Sequence, residues 1–206
     1  MLFRSQVRRE PLGWETLDAG ASRAFVVADH QVAHVYVRRP EDVSAVAELL
    51  RKTTGIDRVL DRAAQAEFGI DHERSGELVV IAAPESWFTY YFWLDDTLAP
   101  DYARTVDIHR KPGYDPVELF VDPKLFSPRL KIAAKLLKKR LGFRTLMDVI
   151  PLDASLVRGS HGLPAIDANK SPIWIGTSKQ RLVEPQIEAT QVQQAILDLL
   201  FDRQAS

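Results

Sequence analysis

The strongest constraint on the fold is a run of five apolar residues from Leu78 to Ala82. A run that is this short and uniformly apolar is typical of a β-strand covered on both faces. A strand of that kind cannot lie at an open surface. The chain is therefore expected to bury this strand inside a layered fold.

Predicted strands and helices alternate on either side of this run. Such alternation indicates the α/β class, and the strand–helix–strand segment near residues 32–68 predicts a small α/β unit. Residues 1–21 are polar, contain proline and glycine, and are expected to be irregular. The other predicted strands are residues 24–28, 32–37, 56–60 and 172–176, and the predicted helices are residues 40–52, 61–68, 129–141 and 188–201.

Composition excludes several classes of protein. The chain has 206 residues, 46% of them hydrophobic, which fits one globular domain or a large piece of one. It has no cysteine, so disulfides, zinc–thiolate sites and thiol catalysis are excluded. A net charge of -1 gives no long-range attraction to nucleic acid or to an anionic membrane. Neither a signal peptide nor an apolar stretch of about 18 residues is present, so a cytoplasmic protein without a membrane span is expected.

Two segments place histidine where it could bind a metal or a phosphate. His161 lies between glycines in residues 158–162, where the backbone can turn sharply and present the imidazole. Asp107 and His109 would share a face of an extended segment, and Arg110 follows them. On the local pattern alone, an ordinary loop histidine and a structural ion-pair cluster are the preferred interpretations.

Three further features have simple structural explanations. Asp29-His30 and His34 have a spacing that could suit metal ligands, but a hairpin turn followed by an edge-strand histidine accounts for it. The aromatic segment 87–93 is predicted to be core, in preference to a stacking surface for a base. The basic helix 129–141 is predicted to present a solvated face, in preference to a nucleic-acid contact.

Five stretches of the sequence are informative together and in their order. They are ADHQVAHVYV at 28–37, ERSGEL at 73–78, SWF at 86–88 with WLDD at 93–96, ARTVDIHRKPGYDP at 103–116, and SLVRGSHG at 155–162. Together they resemble the type I phosphodiesterase/nucleotide pyrophosphatase branch of the alkaline phosphatase superfamily. The resemblance runs from about residue 16 to the C-terminus, and residues 1–15 remain unassigned.

The resemblance implies a fold, a cofactor and one site residue. It implies an α/β fold that is part of an alkaline-phosphatase-like mixed sheet flanked by helices, with a small α/β insertion. The whole chain would be the C-terminal portion of one such domain. It also implies two divalent metals, zinc in first place, which activate a Thr or Ser nucleophile and stabilise the phosphoryl oxygens. The late histidine of the family's Ser/Thr-His-Gly motif is a metal ligand, and that role carries over to His161. Asp107, His109 and Arg110 remain candidates for substrate binding.

The resemblance also implies groups that this chain does not present. The family's nucleophile, its first metal-binding Asp and an Asp-x-x-x-His pair are expected upstream of residue 16. An acidic residue followed by an aromatic or His and then Gly is expected there too. Asp29-His30 has this form, but Gln31 replaces the glycine, so no role is assigned to it. The chain is thus expected to begin inside a family domain.

Two functions follow from this interpretation. The first is metal-dependent hydrolysis of a small phosphoester or nucleotide, of phosphodiesterase or nucleotide pyrophosphatase type, by the complete domain. The alternative is a non-catalytic, truncated remnant that binds a phosphorylated ligand or partner.

Overall fold

The computed structural model describes residues 5–106, 111, 115–164, 171–175 and 186–201. The chain forms two compact units, Met1–Leu163 and Pro164–Ser206. The first unit contains the sheets and every residue of the candidate site described below. The predicted substrate-binding residues Asp107, His109 and Arg110 lie outside the described residues.

Helices and strands of the described residues confirm the α/β class. The helices are α1 (Val43–Arg51), α2 (Arg62–Glu67), α3 (Pro128–Arg140) and α4 (Val192–Phe201), with short 3-10 turns at Pro40–Asp42, Pro116–Leu119, Ala154–Leu156 and Ala189–Gln191. The strands are β1 (Gln6–Arg9), β2 (Glu15–Asp18), β3 (Ala24–Asp29), β4 (Val32–Val37), β5 (Ile56–Leu60) and β6 (Leu78–Ala82).

The principal sheet has the strand order β3-β4-β6-β5, and each neighbouring pair is antiparallel. Because β4 and β5 both run antiparallel to β6, they point the same way and β6 lies between them. The segment β4–α1–β5 is therefore a strand–helix–strand crossover that leaves room for a later strand. This matches the small α/β unit that the sequence predicts near residues 32–68.

Strand β6 is buried along its whole length, as its apolar run predicts. Leu78 and Val80 pack into one core with residues of β4 and α1. Val79 and Ile81 pack into a second core on the opposite face of the sheet. Side chains of a strand alternate between its faces, so a strand between two cores must be apolar at every position. Each of these side chains contributes roughly 1.5–3 kcal/mol of burial free energy.

One polar side chain is fully enclosed next to this sheet. Gln65 of α2 has no exposed surface, and its Nε2 donates to the carbonyl oxygens of Leu60 (3.3 Å), Gly76 (3.1 Å) and Glu77 (3.4 Å). The helix that carries it begins at an Asp61 cap, whose carboxylate accepts from the Ala64 backbone N–H at 3.0 Å. Gln65 thus ties α2 to the end of β5 and to the segment that leads into β6.

Substitution of Gln65 by alanine is expected to lower the free energy of unfolding by about 2 kcal/mol. The change removes a donor shared by three carbonyl oxygens and leaves an unfilled space where the side chain was enclosed. Urea denaturation is the measurement, and Glu67→Ala on an exposed position of the same helix is the matched control. Equal stability of the two variants would show that Gln65 does not connect these segments.

Two segments depart from the prediction. Residues 1–21 were expected to be irregular, but β1 and β2 form an antiparallel hairpin in which Val7 pairs with Leu17. Its turn needs Gly13 at φ 91°, a conformation that glycine adopts without strain. Residues 172–176 were expected to form a strand, and this is wrong for residues 172–175, which adopt no strand conformation. Strand periodicity shows which residues could pair, but not whether a neighbouring strand is present.

The aromatic segment is core, as predicted. Tyr90, Tyr91 and Phe92 surround Trp93, whose indole stacks on the Tyr91 ring with centroids 4.7 Å apart. Burial is the first cause that raises the pKa of both tyrosines, so they stay neutral at every ordinary pH. These rings are therefore packed against one another and are not arranged as a flat surface for a base.

A buried polar cluster lies beside these rings. Lys111 Nζ is 2.5 Å from Glu118 Oε1, and both side chains are almost completely buried. Asp115 is 2% exposed and accepts a hydrogen bond from the Tyr90 backbone N–H at 3.3 Å. Burial raises the pKa of Asp115 to about 7, although the Tyr90 hydrogen bond opposes the rise. A neutral carboxyl is therefore the form that the fold prefers.

The substitution Asp115→Asn is expected to stabilise the protein increasingly as pH rises. The folded-state pKa of Asp115 lies above its unfolded value, so the folded protein holds a proton that the unfolded chain releases above about pH 4. Native stability therefore falls as pH rises toward and through 7, and the uncharged Asn avoids this loss. The difference in unfolding free energy between variant and parent should rise by about 2–3 kcal/mol from pH 5 to pH 8. Chemical denaturation at both pH values measures it, and a pH-independent difference would contradict it.

Candidate metal centre

The turn between β3 and β4 presents an acidic residue and a histidine side by side. Asp29 ends β3 and pairs with Val32 at the start of β4, so only His30 and Gln31 form the turn. His30 has φ 57°, the only non-glycine residue in the described ranges with a left-handed backbone. Such a conformation costs an L-residue roughly 1–2 kcal/mol, so the surrounding contacts must hold it.

Backbone and side-chain hydrogen bonds fix this turn on both sides. The His30 carbonyl accepts from the Phe88 N–H at 2.7 Å, and the Gln31 carbonyl accepts from the Ala82 N–H at 2.9 Å. The Gln31 side chain is buried, and its Nε2 donates to the Ser86 carbonyl at 3.1 Å. These bonds join the turn to the end of β6 and to the segment after it.

The loop that carries His161 lies directly against this turn. The Gln31 N–H donates to the His161 carbonyl at 3.1 Å. Gly162 has φ 109°, and a Cβ at that position would lie 3.3 Å from Val32 Cγ2 and 3.5 Å from the Gln31 nitrogen. Glycine permits both this backbone conformation and the close approach. As a result the His161 ring lies with its centroid 4.0 Å from that of His30.

Asp29, His30 and His161 bring three ligand-type atoms together. One such atom from each side chain lies within 4.8 Å of the other two. His30 Nε2 is 3.7 Å from Asp29 Oδ1, with the His30 side chain 9% exposed and the Asp29 side chain 77% exposed. The cluster is thus enclosed on the His30 side and open to solvent at Asp29.

The donor set fits a divalent metal. One carboxylate oxygen and two imidazole nitrogens are ligands that zinc and related transition metals accept. In a tetrahedral zinc site with bonds of about 2.1 Å, ligand atoms are roughly 3.4 Å apart, so small rotamer changes would suffice here. Burial is the main cause that lowers the pKa of His30, and the nearby His161 is the second. Asp29 has the opposite effect and raises this pKa. Neutral imidazole, the form that binds metals, is therefore favoured. In the part of the chain that the structure describes, no other group of this kind is found.

The predicted site residues have different outcomes. His161 lies beside two further ligand-type side chains, and its role as a metal ligand stays a prediction. His30 and His34 do not share a strand face, because His30 is in the turn. His34 Nδ1 instead accepts from the Gly76 N–H at 3.1 Å, which ties β4 to the segment before β6.

Asp29 and His30 are members of this cluster that the sequence alone does not reveal. Asp29-His30 has the form of the family's acid–His dipeptide, but Gln31 replaces the glycine and the position matches a later stretch of the family better, so the resemblance assigns no role to it. The structure explains how glutamine is tolerated, since the left-handed residue is His30 and the Gln31 side chain makes its own hydrogen bonds.

Comparison with known families identifies the chain. Residues 6–115 match the family model of type I phosphodiesterase / nucleotide pyrophosphatase, which is more than half of the 206 residues. The chain belongs to this family. The phosphodiesterase-family match includes Asp29 and His30 and ends before His161. It also covers residues 6–15, which the resemblance from about residue 16 onward does not reach.

The other comparisons found no relative of this phosphodiesterase-family chain. No curated protein and no solved structure matches it. Within the described ranges, every helix is too short or too polar to cross a membrane.

Proposed function

We propose that this chain takes part in metal-dependent hydrolysis of small phosphoesters or nucleotides, and that Asp29, His30 and His161 hold a divalent metal at the reaction centre. The observation that carries the proposal is the convergence of these three side chains from two distant segments of the sequence. Zinc fits the donor set best, because two of the three ligands are imidazoles.

The three residues would have different tasks. His30 is enclosed and held by the turn, so it sets the position of the ion. Asp29 is open to solvent, so its carboxylate partly neutralises the ion at the face that a substrate can reach. His161 joins the loop of residues 157–162 to the sheet. When bound, the metal supplies positive charge for the phosphoryl oxygens of the substrate.

The nucleophile and a second metal position are proposed from the family resemblance alone. In this proposal the metal is bound by Asp29, His30 and His161, and another group attacks the phosphorus. A covalent route needs an activated Ser or Thr, and none of these three residues can supply it. Metal binding by these three residues is therefore expected to be necessary for turnover of a phosphodiester, but not sufficient for it.

Zinc binding and hydrolysis are measured together to test this function. The purified chain should bind zinc at Asp29, His30 and His161 and release it to a chelator. Turnover of a chromophoric phosphodiester should depend on the bound zinc and be lost when the chelator removes it. Absence of zinc binding would refute the metal centre. Turnover that persists after the chelator has removed the zinc would refute the metal dependence.

A further inference from the structure

A cavity of about 850 Å³ opens in the first unit and shares no residue with the candidate metal centre. Its walls come from Trp14 just before β2, the segment 96–104, the segment 143–148 and one side of α3. The volume is within the range of about 300–1,000 Å³ that small-molecule sites occupy.

Backbone hydrogen bonds fix the walls of this cavity. The Glu15 N–H donates to the Leu98 carbonyl at 2.8 Å, which holds Trp14 beside the segment 96–104. Thr105 and Asp148 form an isolated antiparallel bridge, and the Ile150 N–H donates to the Arg104 carbonyl at 3.3 Å. The walls are thus positioned before any ligand enters, so binding does not have to order them.

A salt-bridge cluster attaches α3 to the same walls. Lys131 Nζ donates to the Asp148 carbonyl at 2.6 Å and lies 3.3 Å from its carboxylate. Lys135 Nζ lies 2.6 Å from the other oxygen of that carboxylate. Two lysines therefore compensate the one charge of Asp148, and this acidic residue gives the cavity no net negative charge.

Three further cations line the cavity, namely Arg104, Lys138 and Arg144. None of them lies within ion-pair distance of a carboxylate among the residues that the structure describes. The remaining acidic residues of the lining are Asp96, which accepts from the Trp93 indole N–H at 3.0 Å, and the exposed Asp101. The lining of the cavity therefore carries an excess of positive charge, and two of these three cations are guanidinium groups.

We propose that this cavity binds a small organic phosphate that carries a flat ring. Guanidinium groups present planar pairs of N–H donors that match phosphate oxygens, so Arg104 and Arg144 suit the phosphate. Trp14 and Phe143 also line the cavity and offer flat apolar surfaces for the ring. The inference goes beyond the proposed function, because this site needs none of the metal-binding residues.

The test is calorimetric titration of the whole chain with adenosine monophosphate, in the presence of a chelator. Adenosine and inorganic phosphate are the comparison ligands. We expect saturable binding of the monophosphate, with each comparison ligand at least about 10-fold weaker, because each lacks one half of the recognised structure. No saturable binding at millimolar concentration, or equal binding of adenosine, would overturn the proposal.

Substitutions inside and outside the cavity lining test where the ligand binds. Arg144→Gln changes an exposed side chain and should weaken binding about 10-fold, as should Arg104→Gln. Lys139→Gln, on α3 but outside the lining, should leave the affinity unchanged. His161→Ala should also leave it unchanged, which separates this site from the metal centre. Binding that survives Arg144→Gln and Arg104→Gln, or that disappears with His161→Ala, would overturn the proposal.

Discussion

Replacement of His161 by alanine is expected to lower the zinc affinity of this chain by about 100-fold or more. The substitution removes one of three ligand atoms, and the remaining Asp29 and His30 offer an incomplete set. The fold should tolerate the change, because the His161 ring is exposed and its backbone carbonyl still accepts from Gln31. Competition with a chromophoric zinc chelator measures the affinity, and thermal denaturation without metal measures the stability.

A second histidine of the chain gives a matched control for this experiment. His72 is exposed and lies outside the metal cluster, so His72→Ala should leave zinc affinity unchanged. Asp29→Asn tests the carboxylate separately and should weaken zinc binding without affecting β3–β4 pairing. If His161→Ala and His72→Ala have the same zinc affinity as the parent, His161 is an ordinary loop residue.

Substitution of Gly76 by alanine is expected to lower the free energy of unfolding by at least about 3 kcal/mol. A Cβ at Gly76 would lie 2.6 Å from the Val35 carbonyl oxygen, 2.7 Å from the Val35 nitrogen and 2.9 Å from the Leu78 carbonyl oxygen. All three atoms are backbone, and Val35 belongs to β4, which pairs with strands on both sides. Neither neighbour can move away without disturbing the sheet.

Urea denaturation of Gly76→Ala and Gly20→Ala tests this expectation. At Gly20 the nearest atom to an added Cβ is Asp18 Oδ1 at 3.5 Å, an ordinary contact, and the backbone is not left-handed. The control should therefore stay within about 0.5 kcal/mol of the parent. A small loss for Gly76→Ala would mean that β4 and the segment before β6 are less tightly packed than the structure shows.

Much of the fold could be predicted because its signals are local. The apolar run of β6 is buried on both faces, and the helix predicted at residues 129–141 appears as α3. The hairpin of β1 and β2 was missed because its residues are mostly polar and its pairing depends on one turn. The β-propensity of a segment does not reveal a strand that is stabilised mainly by pairing with an adjacent strand.

The candidate sites could be predicted only in part. The resemblance points to His161, but it assigns no role to the neighbours Asp29 and His30, because Gln31 replaces the expected glycine and the stretch matches a later part of the family pattern better. The cavity gave no sequence signal, because Trp14, Arg104 and Arg144 come from three distant segments that only tertiary contacts bring together. Asp115 likewise lies in a loop whose burial cannot be inferred from its composition.

The position of β6 between β4 and β5 also has a consequence for the order in which the chain assembles. During synthesis, β3 and β4 can form their hairpin early, but β5 has no sheet partner until β6 emerges and inserts beside it. Contacts between segments so far apart in sequence form slowly. The Asp29-His30 turn belongs to the early hairpin, whereas His161 arrives much later. Metal binding that requires all three side chains would therefore report completion of the first unit, and zinc could serve as a probe of its maturation.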